Sequence, residues 1–130
     1  MPKILTIDTS SKNASISYSD NGKLIDKQIW ISKNNHSIEL SENVIKLFSK
    51  NNLNVNKLDY ISVALGPGGF TAIRVGISFA MGLSKFSNIK ILGIPTFEIE
   101  FEKNNIYKKN NLTALLPAGF NSFCWKSINN

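Results

Sequence analysis

Two stretches of alternating polar and apolar residues meet at an Asn-Gly pair, and this feature restricts the fold more than any other. Over residues 13–20 apolar side chains alternate with serines, which is the two-residue period of a strand buried on one face. Asn21 and Gly22 then follow, and both tolerate the positive φ of a tight hairpin turn. The alternation resumes over residues 23–31, and a β-rich segment, residues 3–8, precedes the pair. The sequence therefore predicts an antiparallel meander of three strands.

The period of the apolar residues changes to about 3.6 in the next part of the chain, which is the period of a helix. From there the chain is predicted to contain helix 36–50, strand 59–65, helix 71–86, strand 90–94 and a short helix at 96–101. Helical crossovers between strands of one sheet make those strands parallel. The predicted fold is therefore α/β, a mixed sheet with the order β-β-β-α-β-α-β and helices packed on it. This order is typical of an actin-like or ribonuclease-H-like lobe.

The starts of the two long helices carry candidate capping residues. Asn35 or Ser37 is expected to cap the first helix and Thr71 the second, because their side-chain oxygens can accept hydrogen bonds from free amides at a helix start. The pattern is less regular after the short helix. Residues 1–102 are predicted to form one lobe, and residues 103–130 a linker followed by the remnant hairpin of a truncated second lobe.

Charge and cysteine content restrict the function less sharply. The net charge of +6 and the pI of about 9.5 are compatible with a surface that faces RNA, most of all over residues 102–111. A general enrichment in Lys and Asn explains the same charge, so both interpretations stay open. The single cysteine, Cys124, cannot form an internal disulfide, which is typical of a reducing compartment. Without an apolar run of about 18 residues or a signal-like start, we expect a cytoplasmic protein that does not enter a membrane.

The segment GPGGFTAIR, residues 66–74, follows an apolar strand and opens a helix. A phosphate-binding P-loop would need a Lys after its second conserved glycine, and none is present. The dinucleotide pattern GxGxxG is only partly met. We predict a structural turn instead, because glycines allow a buried strand to turn sharply into a helix. The turn is assigned to Gly66, Pro67, Gly68, Gly69 and Arg74, while Asp8, Gly68 and Thr71 are kept as weak candidates for cofactor binding.

The helix after this turn is apolar on more than one face and carries small residues every four positions. A stripe of small residues lets another helix approach closely. We therefore predict a surface for a partner protein on the two long helices. Its predicted residues are Leu40, Val44, Leu47, Ala72, Gly76, Phe79, Ala80 and Leu83.

Four segments together resemble one protein family. ILTIDTS, NHSIELSENVIKLF, LGPGGFTAIRVGISFAMGLS and ILGIPTFE are similar, in order and spacing, to the TsaB family of tRNA modification proteins. The family pattern at the turn is GPGSFTG[LI]R. Here Gly69 stands in place of the serine of this pattern, and Ala72 stands in place of the glycine that follows the threonine. The resemblance covers roughly residues 3 to 100, and the Asp and Arg that begin the second lobe of the family are missing.

The resemblance implies a non-catalytic subunit with an actin-like fold. It would pair with the catalytic paralogue TsaD, a threonylcarbamoyltransferase of the tRNA modification pathway, through the two helices of its first lobe. Through that complex it would meet the ATPase TsaE and contact tRNA indirectly. With His36 as the only histidine, we predict no catalytic residue, no metal site and no cofactor. The alternatives are a nucleotide-binding actin-like ATPase lobe, a peptidase, and a degenerate paralogue that forms homodimers when no partner is present.

Overall fold

A computed structural model describes residues 2–103, 112–117 and 122–128. Its strands are β1 (Lys3–Asp8), β2 (Asn13–Asp20), β3 (Lys23–Ile31), β4 (Tyr60–Ala64), β5 (Lys90–Ile94), β6 (Leu112–Pro117) and β7 (Phe123–Ile128). Its α-helices are α1 (His36–Lys50), α2 (Phe70–Ser87) and α3 (Thr96–Lys103), with one short 3-10 turn at Val55–Lys57. The predicted order of strands and helices is confirmed.

The first five strands form one mixed sheet in the order β3-β2-β1-β4-β5. β1, β2 and β3 pair antiparallel, whereas β4 and β5 each run parallel to their neighbour. Asn21 and Gly22 have φ of 53° and 73°, so the hairpin turn has the predicted left-handed geometry. The meander is confirmed, and so is the mixed α/β sheet.

One face of this sheet carries the core, because α1 and α2 both pack on it. Register places Leu5 opposite Tyr18 on one side and Ile61 on the other, so alternate residues of three strands point into the same layer. The largest fully buried side chains are Leu5, Ile7, Ile16, Leu40, Leu47, Ile61 and Val63. Burial of this apolar layer, at about 25 cal/mol per Å², is the main force that holds the two helices on the sheet.

The hairpin β6–β7 forms a separate two-stranded sheet next to α3. Phe101 of α3 and Ala114 of β6 are buried together, with Phe97 packed against them. The two predicted strands are confirmed, but their connection at 118–121 and most of the basic segment at 102–111 lie outside the described residues. The division into lobes at residue 102 stays a prediction. None of the helices in the described ranges has both the length and the apolar character needed to cross a bilayer.

Both capping predictions need correction. Asn35 does occupy the N-cap position of α1, but neither its side chain nor that of Ser37 makes a cap hydrogen bond. The N-cap of α2 is Gly69, two residues before the predicted cap Thr71, because the Gly69 carbonyl already accepts a hydrogen bond from the Ile73 amide at 2.9 Å. Thr71 therefore lies inside the first turn of α2 and is exposed.

Candidate functional site

The glycine turn is held tightly against the loop after β1. Gly66 has φ of +102°, a conformation that favours glycine. A Cβ added to Gly68 would lie only 2.3 Å from the Ser10 carbonyl oxygen, so the two backbones touch. That same carbonyl accepts a hydrogen bond from the Gly69 amide at 3.1 Å. The Gly66 carbonyl in turn accepts from the amide of Thr96, at the start of α3, at 2.8 Å. The turn therefore connects β1, α2 and α3 through backbone contacts.

The three weak candidates for cofactor binding are placed in different ways. Asp8 Oδ1 accepts hydrogen bonds from the Ser10 amide at 3.0 Å and from the Ser10 hydroxyl at 2.6 Å, so its carboxylate organises the loop. Gly68 packs against the same Ser10. Thr71 instead lies on the exposed side of α2. Across the described ranges, no group of three or more His, Cys, Asp or Glu residues is close enough to hold a metal ion.

The small residues Ala72, Gly76 and Ala80 of α2 face the sheet. A Cβ on Gly76 would lie 2.6 Å from Oγ1 of Thr9, the residue directly after β1, and the Thr9 hydroxyl donates a 2.6 Å hydrogen bond to the Ala72 carbonyl. Ala80 is fully buried. The stripe of small residues thus has a role inside this chain, which is to let α2 approach β1 closely.

The predicted partner surface falls into two parts. Six of its residues are covered by the chain itself. Five are 0–6% exposed, and the sixth, Gly76, is also buried: Leu40, Val44, Leu47, Ala72, Gly76 and Ala80. The other two, Phe79 and Leu83, are half-buried and line an open groove between α1 and α2. Only these two can meet another molecule directly from their present positions.

This groove, which we call the inter-helix groove, has a volume of about 700 Å³. Most of its walls come from α1 and α2, and its end comes from the loop before β4. Its helix residues are Ser41, Val44, Ile45, Phe48, Ser49, Phe79 and Leu83. Ile45 is 64% exposed, so an apolar side chain already protrudes from the wall of the groove.

An exposed stripe of α2 continues beside the groove. Ser78, Gly82 and Phe86 recur every four residues on the side away from the sheet, and Phe86 is 91% exposed. A Cβ added to Gly82 would meet no atom within 4 Å. The apolar period of α2 did not reveal this stripe, because a helix that is apolar all round gives no signal for which face is covered.

A polar cluster organises the start of α1. The Ser32 hydroxyl donates to Glu39 Oε2 at 2.8 Å and lies 3.0 Å from His36 Nδ1, while Glu39 Oε1 accepts from the Lys33 amide at 2.7 Å. The hydrogen bond from the Lys33 amide, assisted by the Ser32 hydroxyl, holds the pKa of Glu39 below its usual value. His36 is a polar residue at the start of α1, and the cluster joins the segment before α1 to its first turn.

Replacement of Glu39 by Gln should change the pH dependence of stability. A lowered folded-state pKa contributes stability above the unfolded pKa, near 4.5, and this contribution is lost as pH falls through the folded value. The native chain should therefore melt at a higher temperature than Glu39→Gln at neutral pH, with the difference shrinking under acid. Thermal melts at neutral pH and in acid measure this difference in melting temperature. Glu42→Gln, at an exposed position of the same helix, is the control. A difference that is equally large in acid would contradict the assignment.

Comparison with known families gives one match over most of the chain. The family model described as "TsaD: tRNA N6-adenosine threonylcarbamoyltransferase" matches residues 30–128. The chain is also 31% identical, over 94% of its length, to the tRNA threonylcarbamoyladenosine biosynthesis protein TsaB of Buchnera aphidicola subsp. Schizaphis graminum. It is 23% identical, over 89% of its length, to the TsaB protein of Escherichia coli.

Among solved structures, YeaZ from Pseudomonas aeruginosa superposes with a TM-score of 0.83 at 19% identity. All of this chain is covered, and 61% of that one. This likeness supports the fold. The two TsaB relatives are covered over 58% and 49% of their lengths, so the chain spans about half the length of the curated relatives it matches.

Proposed function

The chain belongs to the TsaD family and is TsaB-like within it, and on this premise we propose that it is a non-catalytic scaffold subunit for a TsaD-type threonylcarbamoyltransferase. It binds that enzyme and activates it in the N6-threonylcarbamoyladenosine modification of tRNA. The names of its relatives support the division of roles, because TsaB proteins are named for the biosynthesis and others in the family for the transfer itself. Contacts with a TsaE-type ATPase and with tRNA then occur through the complex.

The observation that carries the proposal is the open space around Gly82. A glycine inside a helix costs about 1 kcal/mol relative to alanine, so its presence calls for a packing reason. Gly76 has such a reason inside the chain, whereas Gly82 faces open space. An approaching helix that packs near the short end of the 8–10 Å interaxial range would supply the reason.

The neighbouring residues suit a helical partner. Ile45, in the wall of the inter-helix groove, and Phe86, further along α2, present exposed apolar side chains. Half-buried Phe79 and Leu83 form its apolar floor. Two helices of the paralogue, laid against α1 and α2, would cover these side chains and form a four-helix contact. Enzyme activation follows if that contact holds the paralogue in its active arrangement.

Substitution of Ile45 by Glu tests the contact. A carboxylate at this position would lose its hydration when the paralogue covers the groove, so we expect co-purification with the TsaD-type paralogue to be lost. Ile29→Glu is the matched control, because Ile29 is 63% exposed against 64% for Ile45. It lies on β3 beside Trp30, whose side chain packs against the core, so the side chain of Ile29 is on the opposite face of the sheet from the helices. This variant should bind the paralogue as the native chain does.

Two results would count against the proposal. Equal co-purification of Ile45→Glu and the native chain would remove the inter-helix groove from the interface. A native chain that sediments as a stable homodimer and ignores the paralogue would indicate self-association, which a single self-complementary surface permits. Ultracentrifugation of the chain, alone and mixed with the paralogue, distinguishes these outcomes.

A further inference from the structure

A second groove lies at the N-terminal ends of α1 and α2. Its volume is about 480 Å³, and four of its seven lining residues carry a hydroxyl group. The lining residues are Ser37, Ser41, Thr71, Arg74, Val75, Ser78 and Phe79. Arg74 is the one charged residue among them, and no carboxylate contributes to the lining. We call this space the Arg74 groove.

The guanidinium of Arg74 is held in place but not neutralised. Its central carbon lies 5.2 Å from the centre of the Phe70 ring, one turn earlier on α2, a distance at which a cation is attracted to the ring face. Over the described residues, the ion pairs join Lys3 to Asp20, Lys50 to Asp26 and Lys126 to Glu98, so none of them uses Arg74. The exposed guanidinium keeps its donors for another molecule.

The chemistry of the groove selects an anion with a single charge. A guanidinium presents donors in a fork that matches the two oxygens of a carboxylate, and nearby hydroxyls can donate as well. Part of that capacity is already used, since the Ser41 hydroxyl donates to the Ser37 carbonyl at 2.7 Å. With one cation in the lining and apolar walls from Val75 and Phe79, the groove fits a carboxylate on an aliphatic stem better than a doubly charged phosphate.

The position of the groove indicates where that carboxylate comes from. Ser41 and Phe79 line both the Arg74 groove and the inter-helix groove, so the two are continuous. We propose that the Arg74 groove binds an Asp or Glu side chain of the docked paralogue, and that Arg74 fixes the register of the two proteins. This inference rests on the proposed function. α2 carries no acidic residue that would repel a carboxylate from Arg74.

Titration of the native chain and its variants with the paralogue tests this pairing. Arg74→Gln should weaken binding about tenfold and flatten the dependence of affinity on salt between about 50 and about 300 mM, because it removes one charge pair. Arg74→Lys should be intermediate, since an ammonium cannot form the paired hydrogen bonds. Lys85→Gln, the other cation of α2, should bind like the native chain at both salt concentrations.

The outcomes separate this inference from the proposed function. If Ile45→Glu abolishes binding while Arg74→Gln keeps the native affinity and salt dependence, docking stands and the carboxylate pairing is overturned. If Ile45→Glu also binds normally, the docking proposal fails first and the pairing with it. A thermal melt with inorganic phosphate at about 10 mM tests binding of a free anion, since a ligand of the folded state raises the melting temperature. If phosphate stabilises the native chain but not Arg74→Gln, the groove is a site for free anions and the pairing is overturned.

Discussion

Replacement of Gly68 by alanine is expected to destabilise the chain by roughly 3 kcal/mol, the upper end of the usual penalty for adding a methyl group to a packed site. The new Cβ would lie 2.3 Å from the Ser10 carbonyl oxygen and 3.0 Å from the carbonyl carbon of the same residue. Both neighbours are backbone atoms, so no side-chain rotation can relieve the overlap. The loop after β1 or the turn itself must move.

Such a movement would also break other contacts of the turn. The Ser10 carbonyl accepts the hydrogen bond from the Gly69 amide, and Ser10 is the residue that Asp8 binds through its amide and hydroxyl. The first turn of α2 begins immediately after this contact. A shift therefore reaches the end of β1 and the start of α2 together, and we expect the melting temperature to fall by roughly 10 °C for a chain of this length.

Gly69→Ala is the matched control for this prediction. A Cβ on Gly69 would meet only the Ala72 side chain, at the ordinary contact distance of 3.7 Å, and the φ of Gly69 is −59°, which any residue adopts. Chemical denaturation of both variants gives the comparison. Equal stability of Gly68→Ala and Gly69→Ala would show that the Gly68 contact with Ser10 does not determine stability.

The sequence predicts the sheet well because its signals are local. Alternation over β2 and β3 and the Asn21-Gly22 pair are properties of adjacent residues, and the helix period of α1 is one too. The helix starts are predicted less well, because capping depends on where a carbonyl lies. Gly69 is the N-cap of α2, and a polar cluster that includes Ser32 and Glu39 joins the segment before α1 to its first turn. In both helices, contacts between residues several positions apart determine how the helix begins.

The candidate site depends on contacts that are distant in sequence. Neither the period of α2 nor its stripe of small residues shows that Gly76 meets Thr9, because β1 lies more than 60 residues earlier. The amino-acid sequence alone does not distinguish Gly76 from Gly82, although Gly76 is packed on the sheet and Gly82 faces open space. The resemblance to the TsaB family points to the two helices, but the structure is needed to tell the covered side of each helix from the exposed one.

This difference predicts opposite effects for two substitutions in one helix. Gly76→Ala should destabilise the chain by about 1–2 kcal/mol, because its Cβ displaces the Thr9 hydroxyl from the buried hydrogen bond to the Ala72 carbonyl, and the gain in helix propensity offsets only part of that loss. Gly82→Ala should instead stabilise it by about 0.5–1 kcal/mol, since the new methyl group meets no atom of the chain. Chemical denaturation of the isolated variants measures both changes.

Substitutions at Gly82 should weaken binding of the paralogue although they do not lower the stability of the chain. A methyl group at this position would hold a partner helix away, so Gly82→Ala should bind the TsaD-type paralogue about tenfold more weakly, and Gly82→Leu should not bind detectably. Both variants would be at least as stable as the native chain, which excludes unfolding as the cause of weaker binding. A Gly82→Leu chain that binds with native affinity would show that no helix approaches here. The glycine would then need another explanation, and the contact would have to lie elsewhere on α1 and α2.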